Sequence, residues 1–447
     1  MQLQLFTKKR NLKLLTIVIV LGLLSSCKKF DHWPPRATEE RADVVYAWYK
    51  FIAVIQRPAN PQPNVILNNR NFGFIGVGLY ESVRPGIKGA ASLSSKLYQM
   101  PQMPMTEKNE EYLWSAAANA YLASMFKQIL TGLSDANKVS IDSLEEANNK
   151  LFRLYISDDV VNRSQAFGRA IANAIFIWST TDNFNISGQG WVLPVFPGAW
   201  VPTPPAFPNP VGPFLGASRP FLEYTLTAKA PDLPFPYSED PNSEFYKAVK
   251  EVFDIGNGLT TEQKAIADWF ADSGGPGVGV PGPYHLLSII TGLLESRKAN
   301  LGRAAEIYAK TGIAQKDGGI ITFRAKFQFN LIRPVTYIQQ HLDSNWLSYL
   351  VTPPYPEYTS GLVGFYGPVM QVLIRELGDI RVSDNTYAWR GSAPRNYASI
   401  SELLEEAAVS RIYGGLHYRF TQNISVDLGA DLGNKIANIN LREGSKH

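Results

Sequence analysis

KFQFNLIRP, residues 326–334, sets two cations seven residues apart in an otherwise mostly apolar stretch. Seven steps of an α-helix return to nearly the same azimuth, so the spacing predicts Lys326 and Arg333 on one helix face, two turns apart. Cations on such a face need an anionic partner if they are buried. The other reading is a solvated pair whose stems lie along apolar surface. The stretch by itself leaves both open, and two stretches nearer the C-terminus give it its meaning.

Downstream lies PPYPEYTSGLVGFYG, residues 353–367. Pro353, Pro354 and Pro356 hold the approach extended, and Thr359 or Ser360 then caps a helix through Val363, Tyr366, Val369, Met370 and Leu373. The Ser360 hydroxyl and Gly361 amide would sit at the positive end of that helix, a natural oxyanion position, and Gly361 offers no Cβ to obstruct the approach. Simple N-capping is the alternative. The third stretch is SRIYGGLHYRF, residues 410–420. A helix is expected to begin near Ser399, with Glu402 completing a capping box, and to run to about Tyr413. Arg411 and His417, six apart, would face different ways on one helix, but Gly414 and Gly415 can break it and let them converge. Alone, His417 reads more readily as a satisfied structural histidine.

Together the three stretches resemble the signature of the vanadium haloperoxidase and type-2 phosphatidic acid phosphatase superfamily. That signature is a lysine, six residues and Arg-Pro; then Pro-Ser-Gly-His; then Ser-Arg, five residues, His, three residues and Asp. Order and internal spacing are kept here. WVPTPPAF (200–207) and the Gly/Pro turn ending at His285 are similar to segments of bacterial haloperoxidase-like lipoproteins, so the resemblance extends over nearly the whole chain beyond its leader. It implies an all-α helical-bundle fold and a pocket for phosphate, vanadate or a phosphate ester. Lys326, Arg333 and Arg411 would neutralise the anion's oxygens, and Ser360 and the Gly361 amide would donate to them. His417 would be the axial residue, a vanadium ligand in haloperoxidases and a nucleophile in phosphatases.

Two departures from the signature matter; a third, Thr359 for its proline, removes no proton donor or acceptor. Leu362 stands where the family has the histidine that acts as general acid, and general acid–base catalysis is worth about 10²–10⁴-fold. Thr421 stands where an aspartate would orient and charge the axial histidine. Anion binding needs neither, so the expectation is a retained pocket with impaired turnover; a non-catalytic oxyanion or phospholipid-headgroup binder is the alternative. His285, His341 and Glu357 are the candidates to replace the missing acid, each also readable as a bystander.

The rest of the chain fits a helical body. Helical patterns cover Ala37–Gln56, Phe72–Val83, Glu107–Leu130, Asp135–Tyr155 and Asn162–Ser179, then Ser243–Ile255, Thr260–Ser273, Leu286–Ala299 and Ala304–Lys310. Thr180–Ser243 is dense in Pro, Gly and aromatics; it reads as a long ordered excursion, or else as a domain linker. At the start, Lys8, Lys9, Arg10 and Lys13 precede an apolar run, Leu14–Leu24, too short to span a bilayer. Leu24-Ser25-Ser26-Cys27 looks like a bacterial lipobox, which predicts a signal peptide (1–26), lipidation at Cys27, a tether (27–36), a helical domain (37–447) and an envelope location. The formal charge of +4 is carried by the leader's four cations, so the basic balance does not point to nucleic acid. With one cysteine the chain can form no internal disulfide.

Overall fold

Residues 35–272 and 279–443 are described by a computed structural model. The expected signal peptide, Cys27 and all but the last two residues of the tether lie outside them. Contacts divide the chain into Met1–Pro35 and Arg36–His447, and the regular structure described in the second unit is almost wholly helical.

Helices start where a side-chain oxygen is available to take a first-turn amide. Helix α1 is Asp43–Gln56 and α2 is Val65–Val83, the latter capped by Asn64. Helix α3, Trp114–Ile129, has no cap of its own. Buried Glu40 supplies one from elsewhere, its carboxylate accepting the Trp114 amide at 2.9 Å and the Ser115 amide at 2.6 Å. Helices α4 (Asp135–Phe152) and α5 (Asp158–Ser179) are capped by Ser134 and Ser157. A five-residue helix, α6 (Glu223–Thr227), lies within the excursion. After the excursion come α7 (Glu244–Asn257), α8 (Thr261–Trp269) and α9 (Gly282–Ser296).

The spine is α10, Leu301–Phe329, a 29-residue helix where the sequence pattern marked Ala304–Lys310 and, separately, a helix through Lys326. Gly312, Gly318 and Gly319 weaken the helical pattern locally, yet they are what lets neighbouring helices come close. A Cβ at Gly76 of α2 would sit 2.3 Å from the Tyr308 carbonyl oxygen of α10. Packing therefore overrides the helix propensity of glycine.

The single helix expected through both Lys326 and Arg333 does not form. Asn330 adopts φ 47 and ends α10, while Arg333 is extended and N-caps α11, Pro334–His341. Asparagine tolerates the left-handed region, and Pro334 bars its predecessor from helical geometry. Helix α12, Gly361–Leu377, is capped by Ser360, as one of the two sequence readings has it. Helix α13, Ile400–Tyr413, ends at Gly414-Gly415, with Gly415 at φ 74, and α14 is Arg419–Ala437. Helices α12 and α14 cross at glycines: a Cβ on Gly429 would lie 2.8 Å from the Gly367 Cα. One two-stranded hairpin, β1 (Val382–Asp384) with β2 (Arg395–Tyr397), interrupts the helices.

The excursion is ordered and fastened to α10 by polar side chains of that helix. Asp317 accepts the amides of Phe221 and Leu222 and the Thr225 hydroxyl, each at 2.8 Å. Arg324 donates to the carbonyls of Gly216, Thr225 and Ala228. Backbone bonds then tie the excursion to the first two diagnostic stretches: Trp200 to Asn330, Ile332 to Gly198, and Val211 to Pro354.

Candidate oxyanion site

The turn between α10 and α11, the approach to α12 and the Gly-Gly break before α14 meet at one place. Lys326, on the last turn of α10, is fully buried and donates to the carbonyl oxygens of Pro356 (2.9 Å), Glu357 (3.1 Å) and Thr359. All three ammonium protons are thus committed to holding the approach loop. Lys326 therefore offers the site no free N–H.

Arg333 is also fully buried. Its Nε donates to the Tyr355 carbonyl at 3.0 Å, and its Nη1 donates to the Leu416 carbonyl at 2.8 Å and to His417 Nε2 at 3.2 Å. Its Nη2 has no partner among the described residues. Arg411, on the last turn of α13, donates from Nη1 to the Phe270 carbonyl at 2.8 Å and leaves Nε unpartnered among the described residues. None of the three cations has a carboxylate at ion-pair distance among the described residues. Each buried, unsatisfied polar group costs about 1–3 kcal/mol.

His417 is set from its other side. Its Nδ1 lies 2.8 Å from Glu357 Oε1, which also accepts the Tyr418 amide at 3.0 Å, while Glu357 Oε2 accepts the Thr421 hydroxyl at 2.8 Å. With the Nδ1 proton given to the carboxylate and Nε2 accepting from Arg333, His417 is neutral with its Nε2 lone pair on the cationic side. Burial first, then Arg333, Lys326 and Arg411, hold this imidazole well below its ordinary value. Burial lifts Glu357 to about 7, opposed by Arg333 and Lys326. Burial likewise lowers Lys326 strongly and Arg333 to about 10, so Arg333 remains charged at neutral pH.

The α12 terminus completes the site. Ser360 Oγ accepts the Val363 amide at 3.5 Å, a long bond, and the Ser360 amide donates to Ser425 Oγ at 3.0 Å. Gly361 begins the helix, where amides lack intrahelical acceptors. A Cβ placed on Gly361 would stand 3.2 Å from the Tyr355 hydroxyl. Leu362 is half-buried and packs on the apolar core.

The three candidates for the absent acid go to other tasks. Glu357 takes the role of the missing aspartate, orienting His417 from a position 60 residues earlier in the chain. His285 is fully buried, with Nδ1 2.6 Å from Asp272 and Nε2 2.7 Å from Asp384, so neither nitrogen is available. His341 closes α11, two turns beyond Arg333, roughly 12 Å along the axis, and lies beside Tyr237 and Glu239. The sequence reading missed the Glu357–His417 pairing and the place of Tyr355. The only hint of either was their position in the proline-held approach.

Comparison with known proteins bears on the family and the fold. A family model, the VCPO second helical-bundle domain, matches residues 306–443, the part that carries the site. Vanadium chloroperoxidase of Curvularia inaequalis is 24% identical over 314 residues, which is 53% of this chain and 51% of that protein. The chain thus spans about half the length of that curated relative. The crystal structure of the first bacterial vanadium-dependent iodoperoxidase superposes with a TM-score of 0.80 at 28% identity, covering 90% of this chain and 98% of that one. A holo-type bacterial vanadium-dependent chloroperoxidase shares the fold, with a TM-score of 0.60 at 18% identity over 84% and 91% of the two chains. The sequence signature, the helical fold and these matches concur: the chain belongs to the superfamily of vanadium haloperoxidases and type-2 phosphatidic acid phosphatases.

Proposed function

We infer that Lys326, Arg333, Arg411, Ser360, Gly361 and His417 form a pocket for a tetrahedral or trigonal-bipyramidal oxyanion, vanadate or phosphate, with turnover limited by Leu362. The observation that carries this reading is the pair of unpartnered guanidinium nitrogens, Arg333 Nη2 and Arg411 Nε, beside the unprotonated His417 Nε2. Three buried cations with no carboxylate in contact are costly unless an anion joins them. The donor set suits an anion; it offers no carboxylate cage for a bare cation.

In this reading the two arginines bind and orient the anion, and Lys326 adds charge while holding the loop. Ser360 and the Gly361 amide would donate from the helix end, and His417 would face the anion through Nε2. Bound vanadate would supply the electrophilic centre that haloperoxidases use toward peroxide. Glu357 keeps the Nδ1 proton in place, so the handicap from Thr421 is offset and only Leu362 remains. The half-buried, apolar surroundings of Leu362 favour the second reading, a binder without turnover. Lipidation at Cys27 and residence on the cell envelope belong to the same proposal. Among the described residues no helix is long and apolar enough to cross a membrane.

The test is calorimetric titration with inorganic phosphate and with orthovanadate. Assays of peroxide-dependent iodide and bromide oxidation and of p-nitrophenyl phosphate hydrolysis go alongside it. Binding with activity that disappears in His417→Ala supports an enzyme; binding without activity supports the binder. Absence of binding by either anion would remove the pocket from both readings.

A further inference from the structure

Tyr355 stands at the mouth of the site, in the proline-held approach, and the sequence signature gives it no role. Its carbonyl oxygen accepts Arg333 Nε at 3.0 Å, which fixes the residue against the cation. Its ring covers both neighbouring charges, with Lys326 Nζ 4.9 Å and Arg333 Cζ 5.4 Å from the ring centroid. Phe323 packs edge-on to the same ring at 5.2 Å. The ring is therefore clamped from three sides, and Pro354 and Pro356 flank it in the chain.

Clamping the ring determines where the hydroxyl goes. It lies 3.2 Å from where a Cβ on Gly361 would stand, at the N-terminal end of α12. Among the described residues it has no hydrogen-bond partner, although the residue is half-buried. A phenol hydroxyl in such surroundings normally finds one. The cations against the ring, Lys326 and Arg333, attract an anion to this place, and the hydroxyl, unengaged by the described residues, has a proton to donate to it.

We propose that the Tyr355 hydroxyl is a direct ligand of the bound oxyanion, donating a hydrogen bond to the oxygen nearest the α12 terminus, where Leu362 can offer none. This assignment rests on the proposed oxyanion pocket. Burial raises the phenol above its ordinary value, while Arg333 and Arg411 pull the other way. The group consequently keeps its proton near neutral pH and acts as a donor. Glycine at 361 leaves the gap in which anion and hydroxyl meet; a side chain there would fill it.

Tyr355→Phe keeps the ring on Phe323, Lys326 and Arg333 and removes only the hydroxyl. Inorganic phosphate and orthovanadate are titrated calorimetrically into wild type and variant. The ultraviolet tyrosine difference spectrum of the wild type is recorded on binding. A hydrogen bond to a charged group predicts affinity weakened by roughly tenfold to a hundredfold, with unchanged thermal stability. It also predicts a tyrosine perturbation in the wild type that is missing from the variant. Equal or tighter binding by Tyr355→Phe, or an affinity loss with no tyrosine perturbation in the wild type, overturns the assignment while leaving the pocket intact. No binding by the wild type overturns the pocket itself.

Discussion

His285 and His417 are both buried in this protein, and their surroundings differ in one respect that matters. His285 lies between Asp272 and Asp384, which hydrogen-bond both ring nitrogens; Trp269 and Tyr366 satisfy the same carboxylates. Burial opposes its charge, but the two carboxylates win and raise it to about 10. His417 has one carboxylate on Nδ1 and an arginine on Nε2, and it is held neutral. A histidine enclosed by anions becomes a fixed cation that ties α9 to the hairpin. One enclosed by cations keeps a lone pair available for chemistry. Full satisfaction fits a structural role, and incomplete satisfaction is what the proposed oxyanion site requires.

The sharpest break of this comparison is His417→Ala. Any halide oxidation or phosphoester hydrolysis should fall by about three orders of magnitude or more, as for other residues at the reacting centre, with little change in melting temperature. At the other histidine the effects reverse. His285→Ala leaves Asp272 and Asp384 buried without their cation and should destabilise by about 3–5 kcal/mol in denaturant melts. If its anion affinity changes as much as its stability, the two regions are not separable.

Glu357→Gln retains the shape but not the charge behind His417. Loss of such an orienting carboxylate should lower activity or vanadate affinity by about 10–100-fold. Because wild-type Glu357 titrates near 7, a step in the wild-type pH profile around that value should vanish from the variant. Leu362→His restores an acid at the α12 terminus and should raise turnover about tenfold or more without tightening phosphate binding comparably. No gain would mean that proton delivery does not limit this site.

The last prediction concerns pH and stability. His285 has its folded value raised above the ordinary histidine value, so its contribution is complete below about 6.5 and declines as pH rises toward 10. Asp384 is lowered to about 2, despite burial, chiefly by His285, so its contribution is present above the ordinary aspartate range and lost on acidification toward 2. Glu357, raised to about 7, contributes stability that is lost as pH rises through that value. The melting temperature should therefore fall from mildly acidic pH toward pH 10, and His285→Gln should flatten the alkaline part of that decline.

Much of the helical architecture was readable because it depends on neighbours in sequence. Ser360 and Ser399 cap helices, Gly414-Gly415 ends one, and the prolines of Thr180–Ser243 exclude helix over nearly all of that span. Reading α10 as a short helix failed because the helix cost of its glycines is offset by close packing against α2 and α12, which no local pattern displays. The same-face reading of Lys326 and Arg333 failed at Asn330, whose left-handed turn sends the two cations to separate helices that nevertheless return to one point.

The residue types and spacings by themselves determined the resemblance to the haloperoxidase and phosphatase signature, and the leucine at 362 where that signature has its histidine. Only tertiary structure decided which carboxylate stands behind His417 and which histidine is charged. It also decided that Lys326 is committed to carbonyls and that Tyr355 covers the cations. Caps and helix ends are governed by bonds within a few residues. Protonation state and hydrogen-bond satisfaction depend on groups 60 or more residues away, brought close by helices crossing at glycine.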